Sequence, residues 1–123
     1  MEAKTRTRTF KVVGLQYALT KSGRAMISKQ VPFTVKLKRD PENEADGNAI
    51  AVVIHDKNVS KEPMRIGYLR RQVAEVLAKD MDSGAMKIEK ATVVSMSSVM
   101  AEVVVKFSLN HAKKFPLDKS SHL

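Results

Sequence analysis

The sequence contains no cysteine. That absence excludes disulfides and thiolate metal sites, and it fits a reducing compartment without proving one. No apolar run approaches the ~18 residues that a membrane-spanning helix needs. Nor does a basic-then-apolar leader open the chain, so the expectation is an intracellular protein with no membrane attachment, in cytoplasm or nucleoid, or in the nucleus of a eukaryote. Motifs of catalysis are missing too: there is no HExxH, Walker loop, GxSxG or GxGxxG. His55, His111 and His122 lie far apart, and each reads as a solvated or hydrogen-bonded side chain rather than a ligand. The expectation is a protein that is not an enzyme, with no metal and no cofactor.

What the chain has is positive charge. Twenty-two Lys and Arg against thirteen Asp and Glu leave a net +9, a field that attracts polyanions such as nucleic acid or acidic membrane surfaces. Solubility is the other use of such an excess. With 123 residues, 43% of them hydrophobic, the chain suits one compact domain.

Along the chain, residues 1–8 read as a mobile basic arm that becomes strand-like near Thr9, with the first strand at 10–16. Residues 18–30 have weak periodicity around Gly23 and fit either a hairpin-like excursion or a short irregular helix. From Val31, apolar Phe33, Val35 and Leu37 alternate with Thr34, Lys36 and Lys38, the period of a strand with one buried face. The run Ile50 to Ile54 predicts a strand buried on both faces, in mid-sheet or inside a barrel. Residues 64–69 predict a short strand leading into a helix at about 70–82, where Val73, Val76, Leu77 and Met81 form a stripe and Gly84 supplies the stop. Strands at 87–97 and 101–109 follow, then a polar tail at 110–123 expected to fray. About six strands and one main helix predict a mostly β fold, a small OB-like partly closed barrel. A layered α+β sheet is the alternative.

Against this basic background, Asp40, Glu42, Glu44 and Asp46 place four carboxylates within seven residues of the loop KRDPENEADGNAI. Pro, Asn, Asp and Gly are turn residues, and an Asp before Gly commonly accepts backbone N–H bonds. The loop fails as a calcium site, because the position needing a bidentate carboxylate is Val53.

Three stretches together carry more. VVGLQY at 12–17, the spacing of Arg39, Pro41, Asn43, Asp46 and Asn48-Ala49-Ile50, and Ile66-Gly67-Tyr68-Leu69 before an Ala/Leu-rich helix resemble the HIRAN domain over residues 9–107, within an expected domain of residues 9–109. That module precedes certain SWI/SNF-type translocases that remodel replication forks, and it also occurs as short bacterial proteins. The resemblance implies an OB-like barrel that binds single-stranded DNA and captures its free 3′ end. Carried over by position, it implies that Tyr17 stacks on a base, that Asp46 accepts from the terminal hydroxyl, and that Arg70 or Arg71 holds phosphate. Tyr68 stands beside them, and Gln16 and Asn48 flank the site.

The residue types suit those roles. A carboxylate accepts strongly from a hydroxyl but repels phosphate, so at the end of a basic groove it favours a strand that terminates there. A tyrosine ring stacks on any base. The plainer readings are also open: Asp46 as a turn lock, Tyr17 and Tyr68 as half-buried edges with wet hydroxyls, Asn48 as a turn-locking side chain, and Arg70 and Arg71 as a solvated first turn. Cations at a helix N-terminus oppose the macrodipole, which favours an external anion there. The chain departs from the family at Ala45, where an aromatic is frequent, and at Gln16, where a characterised relative has Arg. The leading expectation is a non-catalytic single-stranded-DNA module of repair or replication, with a helicase, translocase or nuclease partner in trans. The alternative is a protein–protein interaction module with a basic surface.

Overall fold

The computed structural model describes residues 4–110, so the tail beyond Asn110 and the first residues of the arm lie outside it. Six strands, β1 (Lys4–Val13), β2 (Phe33–Arg39), β3 (Ile50–Ile54), β4 (Met64–Leu69), β5 (Met86–Met96) and β6 (Ala101–Leu109), form an antiparallel barrel. Its order is β1-β4-β3-β2-β5-β6, and it closes fully rather than in part.

Closure comes from the length of β1. Its residues 4–12 pair with β6, and Val12 and Val13 also meet Leu69 and Tyr68 of β4. The first strand thus starts at Lys4, well before the expected Thr9, because backbone pairing to β6 supplies partners there, although the side chains of Thr5 to Thr9 are exposed. It also ends sooner, at Val13. Gly14, at φ 80°, takes the left-handed conformation that glycine adopts freely and turns the chain into α1 (Leu15–Ala18). Gln16 and Tyr17 are therefore helical, not part of the strand.

The undecided stretch after Ala18 contains a helix, α2 (Lys21–Ser28). Thr20 caps it by accepting the Gly23 N–H at 3.0 Å, and Ile27 anchors it in the core. The main helix, α3 (Arg71–Ser83), begins one residue later than expected and ends on Gly84 at φ 82°. Its buried side is set by Ala74, Leu77 and Ala78, with Val73 and Met81 partly covered. Val76, assigned to the apolar stripe by spacing, is 65% exposed, because the small residues at 74 and 78 let the other side of the helix approach β5 closely.

The barrel interior follows the strand period. Val35 on β2, Val93 on β5, and Val103, Val105 and Phe107 on β6 point inward. The interior strand β3 is buried at Ile50, Ala51, Val52 and Ile54, as its apolar run predicted. Burying each such Val, Ile or Phe contributes about 1.5–3 kcal/mol. At Gly67, β4 lies close against β1: a Cβ there would lie 2.4 Å from the Val13 carbonyl oxygen. Only hydrogen fits at that point.

Candidate nucleic-acid interface

The loop between β2 and β3 is built by short side chains that bond their own backbone. Asn43 Oδ1 accepts from the N–H groups of Ala45 and Asp46, each at 3.0 Å, and the Ala49 N–H donates to the Asp46 carbonyl at 3.0 Å. Asp46 Oδ1 accepts the Asn48 N–H at 2.9 Å. The plain reading of Asp46 as a turn lock is thus correct for one of its two oxygens.

The other oxygen, Oδ2, lies 3.9 Å from Arg71 Nε at the start of α3. That separation exceeds a hydrogen bond, so the two charges face each other with capacity left on both. Asp46 is 19% exposed and Arg71 74% exposed, so the carboxylate is sheltered while the guanidinium lies largely in solvent, its Nη2 donating to the Ala45 carbonyl at 3.5 Å. A cavity of about 250 Å³ opens between them, lined by Val13, Asn43, Ala45, Asp46, Ala49, Tyr68, Leu69 and Arg71. Among the sequence-predicted site residues, the structure gathers Asp46, Tyr68 and Arg71 into this cavity.

Gln16 and Tyr17 do not line it. They stand on α1, which packs against β4, and the Tyr17 side chain is 86% exposed. Arg70 caps α3 with its carbonyl, which accepts the Ala74 N–H, and its side chain is exposed. Asn48 contributes its backbone N–H to Asp46.

Tyr68 is held rather than free. Its hydroxyl donates to Asp40 Oδ2 at 2.9 Å and accepts from Arg65 Nη1 at 2.8 Å, while the Arg65 guanidinium sits 5.2 Å from its ring centroid. Residues three apart on a regular strand point to opposite faces. Here a register shift against Val52 and Val53 leaves Ile66 as an extra residue on β4 and brings Arg65 and Tyr68 to one side. Asp40 Oδ2 also accepts from Asn43 Nδ2 at 3.3 Å, so Tyr68 is coupled to the residue that shapes the Asp46 turn.

Sequence reasoning gave Arg39 no task, yet it is the clamp of the loop. Its Nη1 donates to the Ala49 carbonyl at 2.8 Å and its Nη2 to the Gly47 carbonyl at 3.0 Å. Nε and Nη2 also reach the two oxygens of Asp82 at 2.9 and 3.1 Å, the bidentate geometry peculiar to arginine. The available signal was the position of Arg39 inside the spaced motif; nothing local announced a partner 43 residues on.

Among the described residues, no group of three or more His, Cys, Asp or Glu side chains could hold a metal ion. No helix there is long and apolar enough to cross a membrane.

Comparison with known proteins adds the family. No curated protein matches the chain. Among solved structures it is similar to the HIRAN domain of human HLTF, with a TM-score of 0.68 at 23% identity over 92% of this chain and 84% of that one. It is also similar to a protein from Lactobacillus plantarum, with a TM-score of 0.65 at 22% identity over 89% of this chain and 100% of that one. Those likenesses are of fold. The HIRAN domain model matches residues 7–109, most of the chain, and the chain belongs to the HIRAN domain family.

Proposed function

We propose that this protein is a non-catalytic nucleic-acid-binding module that receives the free 3′-hydroxyl end of single-stranded DNA in the cavity between Asp46 and Arg71. The observation that carries the reading is the division of labour within one carboxylate. Asp46 Oδ1 is engaged by the Asn48 N–H, which fixes the side chain, and Oδ2 faces Arg71 across a gap too long for a hydrogen bond. A terminal nucleotide presents a hydroxyl donor and a phosphate acceptor side by side. A sheltered carboxylate next to an exposed guanidinium matches that pair, and the same carboxylate repels a strand that ends in phosphate.

Tyr17, exposed on the neighbouring α1, offers a flat face for a base, a contact worth about 1–3 kcal/mol and tolerant of sequence. Membership of the HIRAN family supports nucleic acid as the ligand class. In this reading the module acts inside the cell in repair or fork processing, and a translocase, helicase or nuclease partner supplies any motor or cutting activity. Fluorescence anisotropy with matched single strands ending in hydroxyl or phosphate tests it: the hydroxyl strand binds more tightly, and equal affinity refutes end recognition.

A protein-docking role is the second reading. An apolar cavity of about 410 Å³, lined by Leu19, Met26, Ile27, Val59 and Met64 among others, favours it, since Met26 and Met64 are exposed there. A salt-insensitive protein complex that survives loss of DNA binding would select that reading.

A further inference from the structure

The excess of cations is not concentrated at the end cavity. Asp40, Glu42, Glu44 and Asp46 crowd the loop, and Asp82 is clamped to it through Arg39. The barrel wall is different. On β2, Lys36 and Lys38 point outward, alternating with inward Val35 and Leu37. That strand pairs with β5 only from Phe33 to Val35, opposite Val93 to Ala91. Past this point the two strands part around a cleft of about 260 Å³, with Lys36 on one wall and Lys90 on the other.

The row continues across the sheet. Lys90 faces Lys106 on β6, and Lys106 faces Thr7 on β1. All three lysines are exposed, and among the described residues none of them enters an ion pair. Glu89, the carboxylate at the cleft, is engaged by the Ser108 hydroxyl at 2.9 Å. Like charges directly opposite one another on a sheet face are destabilising, so folding alone does not favour Lys90 against Lys106. His55 registers the local field: burial lowers its pKa most, and the charges of Lys36 and Lys38 lower it further.

We infer that the row Lys36, Lys90 and Lys106 is a second nucleic-acid contact, a track on the barrel wall for the phosphodiester backbone, separate from the cavity at Asp46. The inference takes its ligand class from the proposed function and deepens it. Lysines act as point charges on flexible stems, and with the hydroxyls of Thr7 and Thr92 on the same face they contact phosphate oxygens without reading bases. The exposed aromatic Tyr17 belongs to α1, so this wall contacts backbone and stacks no base. End capture then sets where a strand stops, and the wall sets how firmly the rest is held.

A circular single-stranded DNA has no end and isolates the wall. Its binding to the intact chain is compared with that of Lys36→Gln/Lys90→Gln/Lys106→Gln, after circular dichroism shows the same fold for both. The expected result is a loss of about 100-fold near 0.1 M salt, with the slope of log K against log salt shallower by about 2, as three lost phosphate contacts require for a single strand. The preference of a short strand for a 3′-hydroxyl over a 3′-phosphate stays unchanged in that variant. Equal affinity and equal slope for the circle overturn the track, as does a variant that keeps the circle but loses poly-glutamate, which would make the wall protein-directed. If the intact chain shows no hydroxyl preference while the circle still depends on these lysines, end capture fails and the track stands; if it binds no nucleic acid at all, both fall.

Discussion

Arg39 and Asp82 meet through two contacts of 2.9 and 3.1 Å, and this pair ties the loop that carries Asp46 to the far end of the helix that begins with Arg71. Two further nitrogen–oxygen bonds hold the loop carbonyls of Gly47 and Ala49 to the same guanidinium. Together with the contact of Arg71 Nη2 to the Ala45 carbonyl at 3.5 Å, this clamp holds the loop of Asp46 against α3.

Replacing that arginine tests the clamp. Arg39→Ala takes its donor from the Gly47 carbonyl and leaves the Ala49 carbonyl with the Asp40 N–H alone, and we expect a loss of about 2 kcal/mol in urea unfolding, in the range for hydrogen bonds made by a charged group. Arg39→Lys recovers only part of it, because a point charge cannot span both oxygens of Asp82. A wild-type midpoint in Arg39→Ala would show that the loop holds its shape unaided.

Of glycines 67 and 47, only the first should resist a methyl group. Gly67→Ala places a methyl 2.4 Å from the Val13 carbonyl oxygen, and we expect destabilisation of about 3 kcal/mol, the upper end of overpacking costs. A Cβ at Gly47 meets only the Pro41 carbonyl at 3.9 Å, so Gly47→Ala stays within about 0.5 kcal/mol of wild type. Thermal denaturation of the two variants side by side decides the point.

Tyr17→Ala should leave stability untouched, since the side chain is almost wholly exposed. It should weaken single-strand binding by about 10–100-fold, the loss of one stacked base, and Tyr17→Phe should retain that affinity. Equal binding by the alanine variant would remove Tyr17 from the interface.

Acid should weaken the fold through His55. Its pKa is lowered from the ordinary 6.5, by burial first and then by Lys36 and Lys38. The unfolded chain therefore binds this proton more readily than the folded one, and stability rises with pH across the window between the two values. It is flat above the ordinary histidine range and falls as pH drops through it, levelling once the folded form is also protonated. His55→Gln should flatten that limb in urea titrations, and an unchanged limb would mean that His55 does not supply it.

The strands were legible where burial alternates, as from Phe33 to Leu37 and from Ala101 to Phe107, because one wet face writes its period into the sequence. The stop at Gly84 was equally plain. The start of β1 was not, since Thr5 to Thr9 are exposed on both sides and only backbone pairing to β6 orders them. At the site, Asp46, Tyr68 and Arg71 were visible through the spaced motif. The task of Tyr68 was hidden, because it depends on the extra residue in β4 that turns Arg65 and Tyr68 to one face. The Arg39–Asp82 clamp joins residues distant in sequence, and no local pattern encodes it.

On the proposed function, Asp46 distinguishes a strand that ends in hydroxyl from one that ends in phosphate. Asp46→Asn is the cleanest probe, because the amide oxygen can still accept the Asn48 N–H while the negative charge is gone. Anisotropy with the two matched single strands should show wild type favouring the hydroxyl end by about 10–100-fold, the range of a hydrogen bond to a charged acceptor, and Asp46→Asn losing most of that ratio. Equal binding of both strands by the wild-type chain, or an undiminished ratio in the variant, would contradict it.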